Sequence, residues 1–249
     1  MKNTAIIIPT RLGAKRFPNK PLEKIKNIPM IVHVLRRAEE SKVGEVIVAT
    51  PDQEIIEIVE QNGGKAIITN NDHSTGTDRI YEAYTKSFKN KKDIIINLQG
   101  DMPSIKPESI FKLEKFMRDN KCEVGTLASN LRSKEEIIDH NVVKVQVDQE
   151  LKNNNFLDVK DFFRTKNELK NEKIYHHIGI YAFTNAALTK YVGLPRSKLE
   201  IERNLEQMRA IENNIPIKVG FTDSSPLSVD TREDLKKIIS EMSNYVRKY

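Results

Sequence analysis

A single cysteine, Cys122, occurs in 249 residues, which excludes an intrachain disulfide and a cysteine-built zinc site. Its plain role is that of a small buried apolar side chain. Long apolar runs are also missing, and the first hydrophobic stretch, Ala5 to Ile8, is ended by Pro9. That run is too short for a secretory signal, so a cytoplasmic chain without membrane insertion is expected. Two glycine signatures are absent after this stretch. Without GxxxxGK[ST] the usual P-loop chemistry cannot be borrowed, and without GxGxxG a dinucleotide-dependent dehydrogenase ranks low.

Charge, by contrast, is abundant. Charged residues make up 31% and hydrophobic residues 38%, with a formal net charge of +6, a composition that suits a soluble globular chain. The lysines are spread along the whole length and form no basic stripe. Composition alone leaves open a nucleic-acid surface or small acidic ligands.

The hydrophobic pattern predicts strands at Thr4–Ile8, Glu45–Thr50 and Lys65–Thr69, and one buried on both faces at Asp93–Leu98. Helical periodicity covers the stretch from Met30, with Met30, Ile31, Val34, Leu35 and Ala38 on one face, and then 52–62 and 77–88. Gly63-Gly64 stops the second of these. Later elements are a strand at Tyr175–Phe183, a helix at Leu199–Asn213, a strand at Ile217–Phe221 and a final helix after Thr231, capped with Asp234. Strands alternating with helices imply an α/β fold with a mainly parallel, mixed sheet. A single domain is expected, with an irregular excursion at about 148–174. In such sheets ligands sit at the carboxyl ends of strands, which directs attention to the residues after Ile8, Thr50, Leu98 and Phe183.

Each of the first and third of these ends carries a chemical signal. After the first strand comes PTRLGAKRFPNKPL, residues 9–22, in which Arg11, Lys15, Arg16 and Lys20 can surround a polyphosphate. After Leu98 comes Gln99-Gly100-Asp101-Met102-Pro103. An aspartate there, Asp101, is well placed for Mg²⁺, a hard cation that usually takes one or two carboxylates plus phosphate oxygens, although a lone Asp after a strand also reads as a turn or cap; Gly100 allows close backbone approach to a ligand. Between the two signals, His73-Ser74-Thr75-Gly76-Thr77-Asp78-Arg79 precedes a helix, where backbone amides and hydroxyls can hold a nucleotide.

Taken in order, these segments resemble the sugar-activating nucleotidyltransferases, and the CMP-3-deoxy-manno-octulosonate synthetase family in particular. The resemblance continues nearly to the C-terminus. It implies nucleotide binding by Arg11, Lys15, Arg16, Lys20, Ser74, Gly76, Thr77 and Asp78, with Lys20, Asp101 and Asp230 as catalytic residues. Asp230, in Ser228–Leu235, matches the family's second metal-binding aspartate, so Mg²⁺ is expected on Asp101 and Asp230. The acceptor is expected at Gln99, Arg164, His177 and Glu200. The implied reaction transfers CMP from CTP to the anomeric hydroxyl of 3-deoxy-manno-octulosonate, an acidic 2-keto sugar of lipopolysaccharide synthesis. The implied partners are these two substrates, without nucleic acid, and the implied assembly is a homodimer.

Three departures from the family pattern bear on acceptor choice. Met102 stands where many relatives have Glu or Gln, Phe163 takes a serine position in Asp161-Phe162-Phe163-Arg164, and the segment before His177 is shortened. A cytidylyltransferase acting on an 8-amino analogue or a sialic-type acid is therefore an alternative. A nucleotide- or nucleic-acid-binding protein without turnover is a rival of another class. Along the helix expected at 199–213, Glu202, Glu206 and Arg209 fall roughly on one side, where surface ion pairs compete with an acceptor role.

Overall fold

The computed structural model describes residues 3–13, 16–133, 135–165 and 173–246. The chain forms two compact units, one of Met1–Lys92, Asn97–Ile110 and Pro226–Tyr249, the other of Asp93–Ile96 and Phe111–Ser225.

In the first unit, strand β1 (Thr4–Pro9) is buried at all its positions, as a β-branched run in a parallel sheet should be. Complete burial of Ile6, Ile7 and Ile8 contributes about 1.5–3 kcal/mol for each side chain. A two-stranded hairpin, β2 (Lys24–Ile25) and β3 (Ile28–Pro29), turns at Lys26 and Asn27, both with positive φ (49° and 65°), the backbone a type I′ turn requires. Helix α1 (Met30–Glu40) buries the expected face together with Val32. Strand β4 (Glu45–Thr50) runs parallel to β1, α2 (Gln53–Gln61) follows, and β5 (Ala66–Ile68) runs parallel to β4. Gly63, at φ 81°, ends the turn after α2 in the left-handed region that glycine adopts without strain. Helix α3 (Gly76–Phe88) begins at Thr75, whose hydroxyl accepts the Asp78 N–H.

Strand β6 (Ile94–Leu98) and helix α4 (Pro107–Asn120) carry the chain between the units. The second unit contains β7 (Val124–Ser129), β8 (Lys144–Val147), β9 (Phe156–Phe163), β10 (Lys173–Thr184) and β11 (Ile217–Phe221). They lie in the order β10-β7-β11-β9-β8, and β10 also pairs with β8. Only β11 with β7 is parallel among the pairings described there. The α/β architecture with a mixed sheet is thus as expected, parallel in the first unit and largely antiparallel in the second. Helices α5 (Asn185–Val192), α6 (Lys198–Arg203) and α7 (Met208–Glu212) complete this unit, and α8 (Arg232–Val246) returns to the first.

Two local expectations need correction. The helix expected over 199–213 is broken: α6 ends at Asn204 in the left-handed region (φ 50°) and α7 starts only at Met208. Part of the 148–174 excursion is regular, since β9 lies within it; between its buried Phe156 and Phe162-Phe163, the half-buried Leu157 and Val159 alternate with Asp158 and Lys160, a signal weaker than a continuous run. Residues 166–172 of that excursion lie outside the described residues. Cys122 is buried as expected, and burial pushes its thiol up to about 12. No helix among the described residues is long and apolar enough to cross a membrane.

Candidate active site

The basic loop after β1 is fixed at several points in the first unit. Leu12 N–H donates to Asp52 Oδ2 at 2.7 Å, and Asn19 N–H donates to Leu12 O at 3.0 Å, so the loop is pinched at its neck. Phe17 is buried with Ile25, Met30, Val229, Leu235 and Ile238, and the Arg232 guanidinium lies 5.0 Å from the centre of its ring. This apolar cluster ties the loop to the start of α8. Helix α8 itself opens on a reciprocal cap: Thr231 N–H donates to Asp234 Oδ2 at 3.0 Å, and Asp234 N–H donates to Thr231 Oγ1 at 3.2 Å.

These anchors bring together two aspartates far apart in the sequence, Asp101 and Asp230. Val229 N–H donates to the Asp101 carbonyl at 2.9 Å, joining the two segments. Lys20 Nζ then lies 2.9 Å from Asp101 Oδ2 and 3.7 Å from Asp230 Oδ1, and Arg16 reaches Asp230 at 3.1 Å. Arg16 is well exposed, so its pair is screened and exchangeable; Lys20 is largely covered. Two carboxylates converging on one ammonium form a donor set that suits a hard divalent cation completing its shell with phosphate oxygens and water. Among the described residues no cluster of three or more His, Cys, Asp or Glu ligands occurs.

Beside Lys20 and Asp101 opens a cavity of about 230 Å³, lined also by Pro9, Thr10, Arg11, His73, Ser74, Thr75, Gly76, Arg79, Gln99 and Gly100. The N-terminus of α3 contributes to its wall, offering backbone N–H groups and the positive end of the helix dipole to an anion. A polar chain orients Gln99: its amide donates to Asn97 Oδ1 at 3.0 Å, and Asn97 donates to Thr77 Oγ1 at 3.2 Å. At Gly100 a Cβ would meet Pro9 O at 3.1 Å and Thr10 Cβ at 3.2 Å. The close approach that Gly100 permits is therefore to the end of β1, and the aspartate that follows it is set by that packing. Met102 is buried in the core.

Arg11, Lys20, Ser74, Gly76, Gln99 and Asp101 thus line one cavity, with Arg16 and Asp230 linked to it through Lys20 and the aspartate pair. Thr77 and Asp78 occupy the first turn of α3. Lys15 lies outside the described residues.

The other expected residues belong to the second unit. His177 on β10 is buried, and its Nε2 lies 3.0 Å from Thr126 Oγ1. Since Thr126 gives its one proton to the Ile180 carbonyl at 2.7 Å, it accepts from His177 Nε2–H. Burial, helped by His176, lowers the pKa of His177 to about 3, so the ring is neutral near pH 7. Tyr181, 5.4 Å away between ring centres, has a buried hydroxyl without a hydrogen-bond partner among the described residues. Arg164 donates to the carbonyls of His140 at 2.9 Å and Asn141 at 3.4 Å. Buried Lys144 holds the flanking carbonyls of Asp139 and Val142, both at 2.8 Å. Glu200 accepts from Arg209 at 2.8 and 3.0 Å, from Arg196 at 2.8 Å and from Ser197 N–H at 3.2 Å. Arg209 accordingly forms a buried pair with Glu200.

Sequence reasoning missed Asp52, the anchor of the loop, and the bracing roles of Arg79 and Glu82 on α3. Asp52 did carry a signal, because it follows Thr50 at the carboxyl end of β4. Its link to Leu12 depends on how the loop doubles back, which spacing does not reveal.

Residues 5–219 match the family model described as cytidylyltransferase. A 3-deoxy-manno-octulosonate cytidylyltransferase from Thermodesulfovibrio yellowstonii is 44% identical, over 94% of this chain and 95% of its own. One of the same name from Rhodopseudomonas palustris strain BisB5 is also 44% identical, with the same coverage. Among solved structures, a CMP:2-keto-3-deoxy-manno-octonic acid synthetase complexed with CTP superimposes with a TM-score of 0.87 at 37% identity, over 97% of this chain and 99% of that one.

Proposed function

The chain belongs to the cytidylyltransferase family, among the 3-deoxy-manno-octulosonate enzymes, and from that membership we propose that it transfers CMP from CTP to this sugar acid. The observation that carries the proposal is the convergence of Lys20, Asp101 and Asp230 beside a cavity walled by the basic loop and the N-terminus of α3. Nucleotidyl transfer needs positioning and charge neutralisation more than covalent help from the protein, and these groups provide both.

Arg11, Lys15, Arg16 and Lys20 neutralise the triphosphate, while Ser74, Gly76, Thr77 and Asp78 hold the nucleoside end. The oxygen of the sugar's C2 hydroxyl bonds to the α-phosphorus. The bond from that phosphorus to the β-phosphate oxygen breaks, and pyrophosphate leaves with the electron pair while the hydroxyl proton is released to solvent. Mg²⁺ is the proposed cofactor, held by Asp101 and Asp230, and when bound it adds positive charge beside the phosphate oxygens. Gln99, Arg164, His177 and Glu200 remain the proposed acceptor residues, Glu200 acting through the guanidiniums it binds. A cytoplasmic homodimer completes the proposal; sedimentation equilibrium measures its assembly.

The test is incubation with Mg²⁺ and each of CTP, UTP, ATP and GTP against a panel of 2-keto sugar acids, including an 8-amino analogue and a sialic acid. Products are identified by mass spectrometry. CTP with 3-deoxy-manno-octulosonate is expected to give the dominant nucleotide sugar. Equal use of all four nucleotides, or preference for another acid, contradicts the proposal.

A further inference from the structure

The mechanism above leaves one polar pair at the cavity without a role. His73 lines the cavity beside Ser74 and Gly76, and its Nε2 contacts the Oε2 of Glu82 on α3. The other ring nitrogen, Nδ1, has no partner among the described residues. The side chain is 18% exposed, so it remains reachable by a ligand.

The loop that carries His73 is braced from α3 on two sides. Arg79 donates to Thr69 Oγ1 at 2.6 Å and to the carbonyls of Asn70 at 2.8 Å and Asn71 at 3.5 Å. Glu82, one turn later, accepts the Asn70 N–H at 2.9 Å and pairs with Lys86 at 2.5 Å. Burial alone would raise the Glu82 carboxyl, but Lys86, His73 and the Asn70 amide outweigh it and bring it to about 2. Glu82 is therefore a fixed, ionised acceptor. A carboxylate cannot donate, so the proton shared with His73 resides on Nε2, and in the neutral ring Nδ1 is left as an acceptor.

We propose that Glu82 fixes His73 as the Nε2–H tautomer, so that Nδ1 selects a pyrimidine nucleotide bearing an exocyclic amine over one bearing a carbonyl at the same position. This rests on the reading of the cavity as a nucleoside triphosphate site. An acceptor lone pair meets the amine of cytosine with a hydrogen bond and the carbonyl of uracil with repulsion. A polar site that leaves one group mismatched discriminates more strongly than an apolar pocket does. Glu82 acts here as a positioning residue, and His73 as the group that reads the base.

The experiment measures CTP and UTP side by side, as binding by calorimetry and as kcat/KM, in wild type, Glu82→Gln and His73→Leu. Glutamine can donate as well as accept, which frees the tautomer; leucine keeps bulk and removes the acceptor. Both variants are expected to cut the CTP:UTP ratio by about tenfold, mainly by weakening CTP. A purely structural role would weaken both nucleotides alike and leave the ratio unchanged, which overturns the proposal. Ring ¹⁵N NMR of the wild type at pH 8, with His73 assigned by its absence from the leucine variant, needs no variant of Glu82. A protonated Nε2 and bare Nδ1 are expected, and a proton on Nδ1 overturns the assignment. The two readings are separable: nucleotide binding reads base selection even if no sugar acid is turned over.

Discussion

Asp101 and Asp230 give the account its sharpest single-residue consequences. Replacing either with Asn keeps size and removes one negative charge from the pair proposed to hold Mg²⁺ beside the transferring phosphate. The expected cost in turnover is roughly 10²-fold, by analogy with losing a preorganised electrostatic contact worth about 3 kcal/mol. Both side chains are partly open, 26% and 36% exposed, so circular dichroism and the unfolding midpoint should stay near wild type. Steady-state turnover across a Mg²⁺ titration checks this, and a folded Asp230→Asn protein with wild-type turnover at limiting Mg²⁺ removes Asp230 from the site. Asp52 acts at one remove. Asp52→Ala deletes the acceptor for Leu12 N–H and loosens the neck of the basic loop, raising KM for CTP roughly tenfold, the scale of one hydrogen bond to a charged group. Asp52→Asn retains a carbonyl acceptor and should recover most of that loss. Equal effects of the two substitutions would show that the charge of Asp52, and not the hydrogen bond, is what matters.

Among the elements, those with strong periodicity were legible and those set by long-range partners were not. The β-branched run of β1 and the apolar face of α1 pointed directly to their structures, as did the Thr231–Asp234 cap. The candidate cavity was legible to a similar degree, because Arg11, Lys20 and Asp101 all follow strand ends. The break between α6 and α7 was hidden, since Leu199–Asn213 carries no glycine or proline and Asn204 alone supplies the left-handed residue. What sustains that break is tertiary: Arg209 turns back to Glu200, and its guanidinium lies 4.8 Å from the centre of the Tyr191 ring. Both members of the ion pair are nearly sealed from solvent, with 2% and 1% side-chain exposure. Arg209→Met should therefore leave a buried carboxylate short of its main partner and lower stability by about 3 kcal/mol, read as a reduced urea midpoint. A shift indistinguishable from wild type would mean that Arg196 and water suffice for Glu200.

For the whole molecule, buried titration sites couple stability to pH. His177 has a folded pKa of about 3, below an unfolded value of about 6.5. Between these values the unfolded chain binds more protons, so the contribution of neutral His177 is present above pH ~6.5 and is lost as pH falls through that window. Glu82, lowered to about 2, contributes above an unfolded value of about 4.3 and loses that contribution as pH falls toward 2. Both effects make acid destabilising. The slope from His177 is on the order of 1 kcal/mol per pH unit between pH 6 and 5. Urea midpoints measured at those two values check it: the wild type should fall, while His177→Asn, which cannot titrate, should show a smaller decline. Parallel declines would place the proton uptake elsewhere.

The central claim, transfer of CMP to the sugar acid at the α-phosphorus, is tested most directly by following phosphorus itself. ³¹P NMR of CTP, Mg²⁺ and 3-deoxy-manno-octulosonate with the enzyme should show the three CTP resonances replaced by pyrophosphate and one phosphodiester resonance in equal molar amounts, only when the sugar acid is present. Formation of CDP with orthophosphate, or pyrophosphate release that does not depend on the sugar acid, would contradict the account.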